Sequence, residues 1–238
     1  MATGLSAHPT RQSSPPSAAR AWLRPKYGLF GFIGLLLLYV LQHNERFLID
    51  FKDDYWNHIE TFGLKWWLLP HGLAGACALL LGPMQFSDRL RGRYTWLHRA
   101  VGRVYVAATF IAAPLGVYLE YLDEAGGSMR TFTIETAFQG ALWFLTTAIA
   151  WVLILKGKTQ LHRQWMTRSF GTGPLIFLEV RVIGGIFHIT EPALEYLVWA
   201  CTLSSIFVAD AVQLVEDLLR NARRRVPRDR SPAGVELA

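Results

Sequence analysis

Six long apolar segments constrain this chain more than any other feature of its sequence. Each approaches the roughly 20 residues that an α-helix needs to cross about 30 Å of hydrocarbon. The segments are residues 27–42, 64–86, 100–121, 131–155, 165–189 and 194–215. A spanning helix satisfies its own backbone hydrogen bonds in lipid. The sequence therefore predicts an all-α membrane protein with six transmembrane helices in an up-down bundle, in which spans two to five form the functional core.

The composition supports this class and excludes several others. Of the 238 residues, 52% are apolar and nine are tryptophan, which is too apolar for a water-soluble domain of this size. Cys77 and Cys201 both lie inside apolar segments, so the sequence indicates no disulfide framework or zinc site and predicts two small core residues. No phosphate loop, dinucleotide fingerprint, HExxH motif or nucleophile elbow is present.

The two ends of the chain lack the pattern of a folded segment. Residues 1–26 are rich in Ser, Pro and Ala, and we predict a disordered cytoplasmic tail without a secretory signal. Residues 220–238 are predicted to be a second, basic disordered cytoplasmic tail. The six-helix transmembrane domain is accordingly placed at residues 27–219.

The distribution of Lys and Arg predicts the orientation in the membrane. When the six spans alternate across a bilayer, nineteen of these residues fall on one side and four on the other. Because cytoplasmic loops carry an excess of Lys and Arg, both termini are predicted to be cytoplasmic. This topology accounts for the net charge of +6 and makes a nucleic-acid partner unnecessary.

Ionisable side chains occur at two levels within the predicted spans. Such groups are costly in lipid and by default mark function. The outer level contains His71, Glu179, Arg181 and His188, and the cytoplasmic level contains His98, Arg99, Arg103, His162, Arg163, Arg168 and Asp210. We predict that Asp210 forms a structural ion pair with Arg103 or Arg168.

Each of the four histidines begins or ends a helical face that contains glycine. Positions 71, 75, 78 and 82 read His, Gly, Ala and Gly, and positions 98, 102, 105 and 109 read His, Gly, Tyr and Thr. On one such face alone we favour packing, because small residues let membrane helices approach closely. Four histidines in two layers shift the balance toward a binding function.

A b-type haem held between helices fits this pattern. It requires neutral imidazole ligands, space for the macrocycle and cations for its propionates. We predict an inner pair, His98 and His162, and an outer pair, His71 and His188, which together would carry electrons across the membrane.

Arginine follows two of these histidines directly, and Arg99 and Arg163 are suited to neutralise propionates. A quinol or another small redox donor is the predicted partner besides the lipid bilayer. The predicted cofactor-binding residues are His71, His98, His162, His188, Arg99, Arg103, Arg163, Arg168 and Arg181, of which His71, His98 and His162 are the predicted metal ligands.

Three alternatives stay open at this point. The positive-inside bias and snorkelling explain Arg99 and Arg163 without any ligand. A transporter or anionic-lipid-binding protein is a second alternative, and Pro174 would then mark a broken fifth helix. The third is an accessory or assembly subunit with no chemistry of its own.

Three ordered motifs carry a family resemblance: "HGLAGACALLLGPMQF", "LHRAVGRVYV" and "HRQWMTRSF". Together they resemble a bacterial family of predicted membrane proteins, domain of unknown function 2306, over residues 69–181. The resemblance implies a polytopic bundle in a bacterial inner membrane and implies no activity. The matching positions are His71, Gly82, Pro83, Gln85, Phe86, His98, Arg99, Gly102, Arg103, Tyr105, His162, Arg163, Trp165, Met166, Arg168, Ser169 and Arg181. His188 lies outside this pattern.

The opening "LHRAVGR" is also distantly similar to transmembrane b-type cytochromes, in which a histidine opens a glycine-containing helix. That similarity implies a shared architecture and the haem predicted above.

Overall fold

The computed structural model describes residues 64–190 and 192–225, together with residues 31, 34–36, 38–39 and 42. Within these ranges every regular element is a helix. The helices are α1 (Leu64–Gln85), α2 (Asp88–Arg93), α3 (Thr95–Ala125), α4 (Arg130–Leu155), α5 (Thr159–Phe170), α6 (Ile176–Phe187) and α7 (Ala193–Arg225), and a π-helical turn (Gly171–Leu175) joins α5 to α6.

The described part of the chain contains five helical segments long and apolar enough to cross a membrane. They correspond to the second to sixth predicted spans, and they confirm an all-helical protein of the membrane class. The spanning segments are Trp66–Gln85, Thr95–Ala125, Arg130–Leu155, Thr159–Phe187 and Ala193–Val215.

The first predicted span, residues 27–42, falls mostly outside the described residues. Of its described positions, Leu36 and Tyr39 pack against Leu79 of α1 and Leu178 of α6. Six spans in an up-down bundle therefore stay a prediction. The predicted tail of residues 1–26 also lies outside the described residues, as do residues 226–238 of the tail predicted at 220–238. Residues 220–225 of that tail differ from the prediction, because they are helical and continue α7.

Contacts along α1 and α3 show how the helices are placed. His71, near the start of α1, bonds to Ala112 in the second half of α3, whereas Gln85 at the end of α1 lies against Gly102 near the start of α3. These two helices therefore run in opposite directions. By the same reasoning α3 is antiparallel to α4, because Thr133 near the start of α4 bonds to Glu120, whereas Trp143 farther along α4 bonds to Tyr105.

Small side chains form the interface between α1 and α3. Ala74 and Ala78 of α1 belong to one core cluster with Ala108 and Ala112 of α3. Membrane helices associate through close van der Waals contact between such residues, because lipid supplies no hydrophobic force between them. The packing fixes the relative height of α1 and α3, and with it the side chains at their ends.

Large apolar side chains cover the outside of the bundle. Leu145 is 55% exposed and Phe207 is 76% exposed, although both lie within apolar spanning helices. Such a surface suits lipid and not water. Of the two cysteines predicted to be core residues, Cys201 is buried, but Cys77 is exposed on this surface because it lies on the outer face of α1.

Two local elements were not predicted. The short helix α2 begins after Ser87, whose hydroxyl accepts a hydrogen bond from the backbone N–H of Leu90, an ordinary N-cap. The π-helical turn contains Pro174 and keeps α5 and α6 as one continuous helix. Pro174 therefore does not break the fifth span.

Candidate functional site

A cavity of about 680 Å³ opens at one end of the bundle. The helices α1 and α4 end here, and α3 and α5 begin here. We call this end the basic end, because the segments that connect these helices contain Arg89, Arg93 and Lys158. The volume is typical of sites that bind small molecules. Five helices contribute to its wall, α1, α3, α4, α5 and α7, as does the short α2.

His98 and His162 both line this basic-end cavity. Each lies in the first turns of its helix, His98 in α3 and His162 in α5, and the two imidazoles are close enough to interact electrostatically. The structure thus brings the predicted inner pair to one site. Sequence reasoning placed both at the same depth, and the antiparallel packing around α4 places them side by side.

The ring of His162 is held by the end of α4. Its Nδ1 lies 2.8 Å from the carbonyl oxygen of Ala150, and only a protonated nitrogen donates to that acceptor. In the neutral imidazole the other nitrogen, Nε2, then has its lone pair available. This is the arrangement by which proteins orient an imidazole that binds a metal.

The ring of His98 differs from that of His162 in its hydrogen bonding. Its Nδ1 is buried and has no hydrogen-bond partner among the described residues. A buried polar atom without a partner costs about 1–3 kcal/mol. A ligand or water in the cavity that bonded to His98 would remove this cost.

Gln85, one of the positions of the family resemblance, is a second residue of this kind. It is 8% exposed and lines the cavity, and its Nε2 has no hydrogen-bond partner among the described residues. Gly102 makes room for it, since a Cβ at that position would lie 3.2 Å from Gln85 Oε1. The glycine four residues after His98 therefore accommodates a side chain of the protein.

Arginine side chains surround the polar part of the cavity. The predicted residues Arg99, Arg103 and Arg163 line it together with Arg91, which sequence reasoning had not selected. The opposite part of the wall is apolar and includes Val106, Trp151, Ile154 and Met166. This combination suits a ligand that has both a negative group and an apolar body.

Arg168 has a structural partner. Its Nε donates to Asp210 Oδ1 over 2.8 Å, and its guanidinium lies over the Trp165 ring at 4.9 Å from the centroid. The predicted structural pairing of Asp210 is confirmed, and it ties α5 to α7. Arg168 is not among the residues that line the cavity.

A buried hydroxyl network lies beneath the cavity, toward the middle of the bundle. Tyr105 Oη lies 2.9 Å from Ser169 Oγ, which in turn lies 2.6 Å from Thr147 Oγ1. Trp143 Nε1 donates to Tyr105 Oη over 3.4 Å. Tyr105 and Ser169 belong to the helical faces that begin with His98 and His162, so these two faces meet in the interior.

Two glycines make room for the protein's own rings, Gly82 on the face that begins with His71 and Gly173 on the face that begins with His162 (positions 162, 166, 169 and 173). A Cβ at Gly82 would lie 2.5 Å from the Phe170 ring, and one at Gly173 would collide with Trp143. The space that was interpreted as room for a flat ligand is filled by aromatic side chains at these two positions. The room for a ligand lies instead at the basic-end cavity.

The structure does not bring the predicted outer pair together. His71 Nδ1 donates to the carbonyl oxygen of Ala112 over 2.9 Å, and its ring lies against Gly116 of α3. His188 is exposed, directly after the last residue of α6, with a left-handed backbone φ of 51°. Arg181 lies within electrostatic range of His71 and over the ring of Phe177.

Other metal chemistry has little support in the described residues. Among them, no group of three or more His, Cys, Asp or Glu side chains is arranged to hold a metal ion. A metal held by two histidines within a macrocycle has no such requirement.

Residues 68–213 match the protein family described as "Predicted membrane protein (DUF2306)". The chain belongs to this family. The match covers most of the chain and includes the helices that form the basic-end cavity, from α1 to α7. No curated protein and no solved structure matches the chain. The family description names a membrane protein and no activity.

Proposed function

We propose that this member of the family binds haem b in the basic-end cavity and serves as an electron-transfer protein of the membrane. The observation that carries the proposal is that His98 and His162 line one cavity with arginines on one side and apolar side chains on the other. Their convergence is what a six-coordinate b-type haem requires.

The residues present fit such a group. His162 has its Nδ1 hydrogen bonded to Ala150, which leaves Nε2 for iron, and His98 has a buried nitrogen that lacks a partner among the described residues. Arg99 and Arg163 would pair with propionates, and Trp151 would contact the macrocycle. When bound, haem b supplies a one-electron redox centre, and the protein sets its potential through ligands, charge and burial.

The proposal contains one haem site and not two. His71 packs against α3, and His188 lies at the exposed end of α6. A single site at the basic end would exchange electrons with a donor on that side of the membrane or within it. The donor we propose is a quinol or another small reductant.

A difference spectrum tests the haem. The protein, purified in detergent from haem-replete cells, is expected to show a Soret band and a reduced-minus-oxidised signal. His98→Ala and His162→Ala should lose most of this signal, and His188→Ala is the matched control and should keep it. A colourless preparation, or an unchanged spectrum in the double His98→Ala, His162→Ala variant, would refute the proposal.

An anionic lipid or other amphiphile is a second candidate for the same cavity. It is favoured by Arg91, Arg99, Arg103 and Arg163 around a polar pocket in which Gln85 Nε2 lacks a partner among the described residues. Native mass spectrometry in the presence of phosphatidylglycerol tests it. Retained lipid that is lost in Arg99→Gln, Arg163→Gln but kept in His98→Ala would favour this candidate over haem.

We further propose that the basic end faces the cytoplasm of a bacterial inner membrane, with both termini on that side, as the positive-inside rule implies. Reporter fusions test this orientation. A reporter active only in the cytoplasm should work when fused after Ala238 and fail when inserted at the turn between α3 and α4, Gly126–Ser128. The reverse pattern would contradict the topology.

A further inference from the structure

Glu135 is a buried carboxyl group that sequence reasoning did not single out. It lies near the start of α4, within a segment long and apolar enough to span the membrane, and its side chain is fully buried at 0% exposure. Glu135 belongs to the half of the bundle away from the basic end. Carboxyl groups in such positions are rare and costly.

The two oxygens of Glu135 have different surroundings. Thr202 of α7 donates its hydroxyl hydrogen to Oε1 over 2.6 Å. Oε2 is buried and has no hydrogen-bond partner among the described residues. Thr202 and the nearby Ser205 are themselves buried, so the interface between α4 and α7 is closed on the side of Glu135 that faces the basic end.

The charged and titratable groups around Glu135 do not neutralise it. Among the described side chains, no Lys or Arg forms an ion pair with Glu135. Glu195 of α7 lies within electrostatic range of it, and the thiol of Cys201 lies within range of both Glu135 and Glu179 of α6. The surroundings are therefore acidic or neutral, and they would not stabilise a negative charge.

We propose that Glu135 is an intramembrane proton-binding site that exchanges its proton with the aqueous phase at the end of the bundle opposite the basic end. An unpaired carboxylate in this position would carry a large desolvation penalty, whereas the protonated form carries none of that charge. A proton on Oε2 leaves Oε1 to accept the Thr202 hydrogen bond. A metal ion does not fit, because the described residues provide no group of three ligands here.

Glu195 lies where the proposed path of the Glu135 proton reaches water. It lies in the first turn of α7, is partly exposed, and stands seven residues before Thr202, which places both on one face of the helix. Val198, buried at 8% exposure, lies between them on that face. A proton that leaves Glu135 passes to water near Glu195, and the reverse step reloads the site. The inference is independent of which ligand the basic-end cavity holds.

Labelling with a hydrophobic carbodiimide tests the proposal. The reagent adds to a protonated carboxyl in an apolar setting, whereas ionised carboxylates in water react poorly. Native membranes containing the full-length protein are treated near neutral pH, and adducts are located by peptide mass spectrometry. We expect an adduct at Glu135 that is absent in Glu135→Gln and retained in the control Glu124→Gln.

Infrared spectroscopy of the same proteins provides a second measurement that does not need reagent access. The carbonyl stretch of a protonated carboxyl should be present in the wild type, shift in deuterium oxide and vanish in Glu135→Gln. If folded wild-type protein shows neither this band nor the adduct at Glu135, the carboxyl is ionised and the proposal is overturned. A normal haem spectrum would be unaffected by that outcome.

Discussion

The hydroxyl oxygen of Tyr105 lies 2.9 Å from that of Ser169, deep in the bundle where α3 meets α5. Both side chains are fully buried, and both belong to the helical faces that begin with the cavity histidines. This hydrogen bond fixes the rotation of α3 against α5. It therefore helps to hold His98 and His162 toward the same cavity.

Removal of this hydroxyl should destabilise the protein. Tyr105→Phe leaves Trp143 Nε1 without its acceptor and Ser169 with one partner fewer. We expect a loss of about 1–2 kcal/mol in the free energy of unfolding. Denaturation in mixed micelles measures it. The control is Tyr121→Phe, whose side chain is 61% exposed and which should change stability little; equal losses in both variants would contradict the assigned role.

The close approach at Gly82 should make that position intolerant of a methyl group. In Gly82→Ala the new Cβ would lie 2.5 Å from the Phe170 ring, which itself packs on Phe86. Overpacking of this kind costs about 1–3 kcal/mol. Gly75→Ala is the matched control in the same helix, because nothing lies within 4 Å of the point that its Cβ would occupy. A difference between the two unfolding free energies confirms the contact, and similar stability in both variants would contradict it.

The ion pair between Arg168 and Asp210 should contribute little energy. Their side chains are 27% and 53% exposed, and partly solvated pairs are typically worth about 0–1 kcal/mol. A double-mutant cycle with Arg168→Gln and Asp210→Asn should therefore give a coupling below about 1 kcal/mol. Neither variant should change ligand binding in the basic-end cavity. If Arg168→Gln alone lost the haem spectrum or the bound lipid, Arg168 would belong to the binding site.

Replacement of Gln85 by leucine should raise the stability of the protein and weaken ligand binding. Gln85→Leu removes a buried donor that has no partner among the described residues, so the ligand-free protein should gain about 1 kcal/mol. The same variant should hold its ligand less well, since Gln85 lines the cavity. Unfolding and ligand occupancy are measured on the same preparation. A variant that loses stability without any change in occupancy would show that Gln85 only packs against Gly102.

Periodicity and charge predicted the helices well, because a spanning helix must be long and apolar whatever it contacts. The pairing of Asp210 was predicted to within two candidates, since Arg103 and Arg168 lie at its depth, and the structure shows the pair with Arg168. Depth does not identify neighbours, however. His188 shares a predicted level with His71, yet it ends α6 at the surface while His71 packs on α3. Which faces meet is decided by packing between distant segments.

Glu135 shows a second limit of sequence reasoning. One carboxyl among the residues of "TFTIETAFQGALWF" hardly changes the mean hydropathy, so the segment was interpreted only as an apolar span. Its partner Thr202 lies 67 residues away along the chain. No local pattern connects the two. The complete burial of this carboxyl arises from the packing of the folded bundle, which the local sequence does not show.

The π-helical turn at Gly171–Leu175 has a consequence for α6. A π turn inserts one residue into an α-helix, and one residue corresponds to about 100° of rotation about the axis. Deletion of a single residue there would restore a regular α-helix. It would also rotate Glu179 and Arg181 about the helix axis, away from their present neighbours. The π turn thus sets the angular offset between α5 and α6, so that the two halves of one continuous helix present different faces to their neighbours.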